Sequence, residues 1–434
     1  MYYHHGVGAE NSILSRLQGI SGTGLNEIIR EGYTYIATNW SPGDEIFLFG
    51  FSRGAFTARS IAGLIDNIGL LTTEGLEYLP EIFRDVQHQY DADYVPKHPD
   101  LPFPDKPSAN DPEYVAELRR RGMTRTEIPI KIVGVWDTVG SLGIPKIGWL
   151  TRLGLQSTTM KELSFHDTAL SGCVEYAFQA LALDERRFSF QPTLWEKLDG
   201  QETVLRQVWF PGAHSNIGGG YNEQQIATIS LAWMVAQCQS MLDFDHDYVL
   251  DCWEDTERYY EKKNEKVRPW SFGEIFDGLS GVYAAGGIAI RHPGRYVMVD
   301  GTTGKETQDP LIDTREYIHP CVRSRIKLKG PGINGRGRYE CKSLRDWKLS
   351  IENENGAKRP RIFWRSREKD VEEGFAKEIP EAPLKALEME LLDYDEETKE
   401  YVMRPSGVRR RSTRREREGS RMRSRVRSGS RQPK

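Results

Sequence analysis

Ser52 stands between two glycines in Gly50-Phe51-Ser52-Arg53-Gly54, after the apolar run EIFLFGF (45–51) and before apolar residues at helical spacing. A serine hydroxyl is a weak nucleophile at neutral pH unless a base takes its proton. The chemistry therefore requires a histidine and an orienting carboxylate elsewhere in the chain. G-x-S-x-G with a strand before it and a helix after it is the pattern of a nucleophile elbow. At the apex of so tight a turn the serine backbone is strained, and side chains at Gly50 and Gly54 are expected to collide with strand and helix. The turn also sets the serine at a helix N-terminus, where the backbone N–H of Arg53 is the first donor for a developing oxyanion.

Asp137 and His214 are the candidate partners. Asp137 ends the apolar run in IPIKIVGVWDTVG (128–140), and His214 follows TVLRQVWF (203–210) in the turn PGAHSNIGGGY. Serine, then acid, then histidine is the chain order of α/β hydrolases. His214 would act as general base and then general acid, while Asp137 holds the imidazole in the right tautomer. Each has a plainer reading on its own, Asp137 as a loop cap and His214 as a hydrogen-bonded loop residue. Their order and strand-end positions favour the chemistry. His166, in SFHD, is the fallback base. Of the other histidines, His4 and His5 lie at the chain start, His88, His98 and His246 in polar stretches, and His292 and His319 before prolines. The Gly218–Gly220 run lacks a following Lys-Ser/Thr and reads as a close-approach loop beside His214, not a phosphate cradle. No H-E-x-x-H, EF-hand loop or cysteine cluster is present, so no metal and no cofactor is expected.

Positioning three such residues takes a sheet. Leu25, Ile28, Ile29, Tyr33 and Ile36 share a helical face over 24–39, and SPGD (41–44) stops that helix. The run 45–51 has the continuous apolar character of a strand covered on both faces. Ala55, Ala58, Ile61, Ala62, Ile65 and Ile68 then repeat at helical spacing. Residues 72–127, rich in Pro, Asp, His and Arg, read as an insertion or cap. Strands are expected at 128–140 and 203–210, with helical patterning across CVEYAFQALALDERR (173–187) and a buried helix over 226–242. Open α/β sheets bind ligands outside the carboxyl ends of their strands, so the three strand ends are expected to converge on one crevice. Residues 243–330 read as cap or edge elements, and order is expected to fall off past 359–367. Leu384, Leu387, Leu391 and Leu392 nevertheless suggest a docked helix in the acidic stretch 368–400, where 13 acidic residues face 4 basic ones.

The net charge of −4 conceals an asymmetry. From Arg404 to Lys434 there are 13 Lys/Arg and 2 Asp/Glu, a net of +11 that leaves −15 for the rest. The acidic remainder is a poor nucleic-acid surface, so no specific nucleic-acid binding is expected; any polyanion contact belongs to the tail. From Gly407 on, too few apolar side chains exist to offset ordering entropy, and the tail is expected to be disordered. Five scattered cysteines fit reduced thiols in an intracellular protein. Neither a signal peptide nor a spanning segment is evident, and a cytoplasmic location is expected.

GTGLNEIIREGYTYIATNWSPGDEIFLFGFSRGAFTARSIAGLI, VGVWDTVGSLGIP, EYAFQALALDERR, WFPGAHSNIGGGY and IHPCVRSR together resemble an α/β-hydrolase family of fungal and bacterial proteins. That family contains the catalytic domain of type VI secretion phospholipase effectors, and the resemblance covers roughly residues 1–365. It implies a serine-dependent lipase or esterase with its triad on Ser52, Asp137 and His214. Two departures stand out. Family members usually begin with a strand and an FDGT-like loop lining the site, whereas this chain opens at YYHHGVGAE, which leaves the second oxyanion donor and an edge or central strand open. Asn216 also stands where the family often has Asp.

The expected fold is α/β, an α/β-hydrolase-like, mostly parallel sheet with helices on both faces, inserted cap regions and a disordered tail. Residues 1–365 would form the catalytic domain, 366–403 an acidic helical extension and 404–434 the Arg/Ser-rich tail. The expected activity is hydrolysis of carboxylic esters, with a lipid or phospholipid-like substrate and peripheral membrane contact. The alternative is a catalytically weak or inactive hydrolase fold used as a binding module. Nothing in the sequence fixes the oligomeric state.

Overall fold

Five parallel strands organise the computed structural model, which describes residues 1–5, 22–139, 169–279, 287–299, 306–353 and 360–404. In chain order, helix α1 (Gly22–Asn39) leads to strand β1 (Ile46–Phe51) and helix α2 (Arg53–Ile68). The segment anticipated as an insertion holds three short helices, α3 (Thr73–Leu76), α4 (Leu79–Gln87) and α5 (Pro112–Arg120). It also contributes a small antiparallel ladder, β2 (Leu70–Leu71) with β3 (Thr124–Arg125). Then come β4 (Ile130–Trp136), β5 (Val174–Ala182) and β6 (Val204–Phe210), the short helix α6 (His214–Gly218), and α7 (Gln225–Cys238) and α8 (His246–Lys262). Beyond these lie the hairpin β7 (Val297–Val299) and β8 (Glu306–Pro310), the edge strand β9 (Glu316–Ile318) and helix α9 (Pro320–Lys327).

The strand order is β1-β4-β5-β6-β9, and each neighbouring pair is parallel. Alternation along β1 sends Ile46 and Leu48 into one apolar cluster with α1 and α2, while Phe47 packs against a second cluster built around α7. Helices therefore cover both faces, as a parallel sheet requires. Helix α7 is apolar all round, and twelve of its side chains are buried. Such a helix is stable only when surrounded.

Two expectations are corrected. Residues 174–182, read from their pattern as helical, form β5 at the centre of the sheet. Ala177, Ala180 and Ala182 give this stretch high helix propensity, but it lies between β4 and β6 with its last six residues buried, and packing overrides propensity. Order also continues well past residue 367. An antiparallel sheet of β10 (Trp347–Glu352), β11 (Arg361–Ser366) and β12 (Glu378–Pro380) precedes helices α10 (Ala386–Leu392) and α11 (Glu396–Met403). Leu387, Leu391 and Leu392 dock into the same apolar cluster as α7. Residues 405–434 lie outside the described residues, as does His166.

Candidate active site

Strand β1 delivers Ser52 at its carboxyl end. Ser52 has φ 60° and ψ −120°, a strained conformation for a residue with a side chain, and α2 begins at the next residue. Its N–H donates to the Trp136 carbonyl at 3.0 Å, tying the elbow to the end of β4. A serine at a helix start ordinarily caps the helix with its hydroxyl. Here the side chain makes no capping bond, and Oγ instead lies 2.7 Å from Nε2 of His214. The close backbone approach falls on one glycine: a Cβ on Gly50 would meet the Gly54 carbonyl oxygen at 2.2 Å, whereas a Cβ on Gly54 would meet nothing within 4 Å. The expected collision at Gly54 is thus absent.

Asp137 follows the last residue of β4 and is fully buried with φ 43°. Its Oδ2 lies 2.6 Å from Nδ1 of His214, and its Oδ1 accepts the Ala182 N–H at the end of β5 at 2.9 Å. An ionised carboxylate accepts only, so Nδ1 of the imidazole carries the proton and Nε2 accepts from the serine hydroxyl. Burial pushes the Asp137 carboxyl up, but the Arg291 guanidinium and the hydrogen bond from His214 outweigh it and hold the group below the usual carboxylate range.

His214 opens α6, four residues after the end of β6. Its loop is fixed from three sides. Asp184 accepts the Gly212 N–H at 2.7 Å, Glu185 accepts the His214 N–H at 3.2 Å, and Asn216 Oδ1 accepts the Ala213 N–H at 3.1 Å. The Asn216 amide also donates to the Glu274 carbonyl at 2.8 Å, a bond an ionised aspartate could not make. The imidazole itself lies between Phe51, tilted at 4.6 Å between ring centroids, and Phe190, edge-on at 4.9 Å. A ring so enclosed keeps its orientation.

All three predicted side chains thus converge at the carboxyl ends of parallel strands, where the sheet architecture directs ligands. Sequence reasoning missed Arg291. It is buried, its two terminal nitrogens reach both Asp137 oxygens, and it donates to the Ala182 and Phe190 carbonyls at 2.7 and 2.8 Å. It belongs to a stretch without periodicity, and a single arginine among 59 Lys/Arg residues has no local signature. Glu185 was missed too. Its carboxylate is paired with Arg187 at 2.8 Å, and this pairing offsets burial and lowers its pKa. Chemically, the arrangement is one in which a hydroxyl can lose its proton to an imidazole whose second nitrogen is held by a buried carboxylate.

Residues 1–237 match the family described as the T6SS phospholipase effector Tle1-like catalytic domain. The chain belongs to that family. The chain is also 28% identical over 208 residues to the uncharacterized protein YEL023C of Saccharomyces cerevisiae, a match covering 44% of this chain. It spans only 26% of that relative's length. No solved structure matches. In this family member, no helix among the described residues is long and apolar enough to cross a membrane.

Proposed function

We propose that the chain is a serine esterase acting on lipid acyl esters, with Ser52 as nucleophile, His214 as general base and acid, and Asp137 as the residue that orients it. The observation that carries this reading is the continuous hydrogen-bonded line from Ser52 Oγ through both His214 nitrogens to Asp137, at 2.7 and 2.6 Å. In the first half-reaction Ser52 Oγ attacks the ester carbonyl and its proton passes to His214 Nε2. The tetrahedral oxyanion forms beside the start of α2, where the Arg53 N–H and the positive helix end favour negative charge. His214 then protonates the departing alcohol, leaving an acyl-serine. In the second half-reaction His214 takes a proton from water, the hydroxide attacks the acyl carbon, and the carboxylic acid leaves as Ser52 regains its proton. Phospholipid is the substrate class that family membership favours.

The test is labelling of the purified full chain with a fluorophosphonate, alongside release of fatty acid from phospholipid and from simple esters. Labelling that disappears in both Ser52→Ala and His214→Ala is expected. A well-folded wild type that neither labels nor releases acid would remove the reading.

A further inference from the structure

Asp137 needs more than a histidine to stay ionised, because the site removes it from water entirely. The compensating charge comes from outside the segment matched to the family. Arg291 lies between α8 and β7, beyond residue 237, and is 1% exposed. We propose that Arg291 is a positioning residue for hydrolysis: its fork fixes the Asp137 carboxylate with Oδ2 aimed at His214, and its charge keeps that buried carboxylate ionised. The inference rests on the triad reading given above.

The geometry supports both halves. A carboxylate held only by His214 and the Ala182 N–H could rotate about its Cβ–Cγ bond. The guanidinium removes that freedom by contacting both oxygens, and is itself held by two backbone carbonyls 2.7 and 2.8 Å away. Planar two-point recognition of this kind is specific to arginine. As for charge, a guanidinium touching both oxygens of a carboxylate removed from water favours the ionised form of that carboxylate. Among the described residues, these groups face the pair. Ser52 and the Phe51 ring face it from the elbow, the Phe190 ring from the loop after β5, and Glu185 from beneath the His214 amide, its charge matched by Arg187 stacked over Phe190. The buried Tyr296 hydroxyl lies near Arg291 and accepts from the His292 N–H; burial raises its pKa, so it remains neutral. Arg291 is accordingly a cation in direct contact with Asp137.

Two substitutions separate positioning from charge. Ester hydrolysis by the full-length protein is followed from pH 5 to 9, with circular dichroism to establish folding. Arg291→Lys keeps the charge and loses the fork, and kcat is expected to fall about ten- to a hundredfold with KM and the acid limb unchanged. Arg291→Met removes the charge, and the acid limb of kcat/KM is expected to move to higher pH. An Arg291→Lys variant with wild-type kcat would overturn the inference, as would a folded Arg291→Met variant whose acid limb stays in place. Should Arg291→Met fail to fold, the kcat and KM of Arg291→Lys decide alone. A wild type with no activity removes the triad reading itself, an outcome distinct from either result.

Discussion

Gly50 and Gly54 frame the serine symmetrically in sequence and asymmetrically in space: only Gly50 stands where a methyl group would strike backbone, 2.2 Å from the Gly54 carbonyl oxygen and 2.7 Å from the Ala55 nitrogen. Neither atom belongs to a flexible side chain, so strand or helix would have to move. Gly50→Ala is expected to misplace Ser52 and lower kcat by about a hundredfold or more. Gly54→Ala fills open space in a helix and should retain most activity, with a gain in stability of about 0.5–1 kcal/mol. Equal losses in the two variants would show that the elbow's glycines serve something other than backbone clearance.

Asp137 accepts from His214, from Arg291 and from the Ala182 N–H, and its replacement by asparagine separates catalysis from folding. The amide of Asp137→Asn would present its NH2 to His214 and keep its oxygen for Arg291 and Ala182. His214 Nδ1 would then accept, leaving a proton on Nε2 where the base must be free. Activity is expected to drop by about 10³–10⁴-fold, the size of loss seen when a triad acid becomes an amide elsewhere. Arg291 would also remain charged and buried without the carboxylate it contacts, at a cost of about 3–5 kcal/mol in stability. The double variant Asp137→Asn/Arg291→Met should regain much of that stability in urea unfolding while remaining inactive. No stability recovery would mean that the ion pair is not what the single substitution breaks.

The parts of the site legible in the sequence were those with local grammar. Ser52 had its glycines and its strand-helix flanks, and Asp137 and His214 each ended an apolar run, so the crevice at the strand ends followed from chain order. Strand β5 was not legible because buried strands lack alternation and its alanines favour helix in isolation; only its neighbours decide its state. Arg291 was hidden for another reason. Its meaning lies in a contact 154 residues away in the chain, and nothing in RHPGRY announces that contact. The docked helix α10 was readable from its leucines, whereas the three-stranded sheet before it was not.

Leu391 makes the dependence of the core on α10 measurable. Its side chain is 1% exposed in the cluster that holds α7 and β6. Leu391→Ala should cost about 2–5 kcal/mol in urea unfolding. Asp393, two residues on, pairs at the surface with Lys399, and Asp393→Ala should change stability by less than about 1 kcal/mol. If both substitutions have small effects, the C-terminal helices are not integral to the core.

Glu316 provides a pH dependence of opposite sign to that of Asp137. Its carboxylate is buried at the edge strand β9 and accepts from Trp209 Nε1 at 2.7 Å, the Gly294 N–H at 2.9 Å and the Thr314 hydroxyl at 2.8 Å. Burial outweighs these bonds and raises its pKa. The folded protein therefore holds this proton more tightly than the unfolded chain, whose glutamates titrate near about 4.3. Stability from this group is present at low pH and is lost as pH rises from that unfolded value through the raised folded one. Glu316→Gln removes the ionisation and keeps the contacts, since its oxygen can accept from Trp209 and Gly294 while its NH2 donates to the Thr314 oxygen. Stability measured for both proteins from pH 4 to 8 should diverge in the variant's favour as pH increases, then run parallel. For Asp137, held below the usual range, stability is instead present at neutral pH and is lost as pH falls through its lowered folded value. A difference between wild type and Glu316→Gln that stays constant from pH 4 to 8 would mean that Glu316 ionises without opposing the fold.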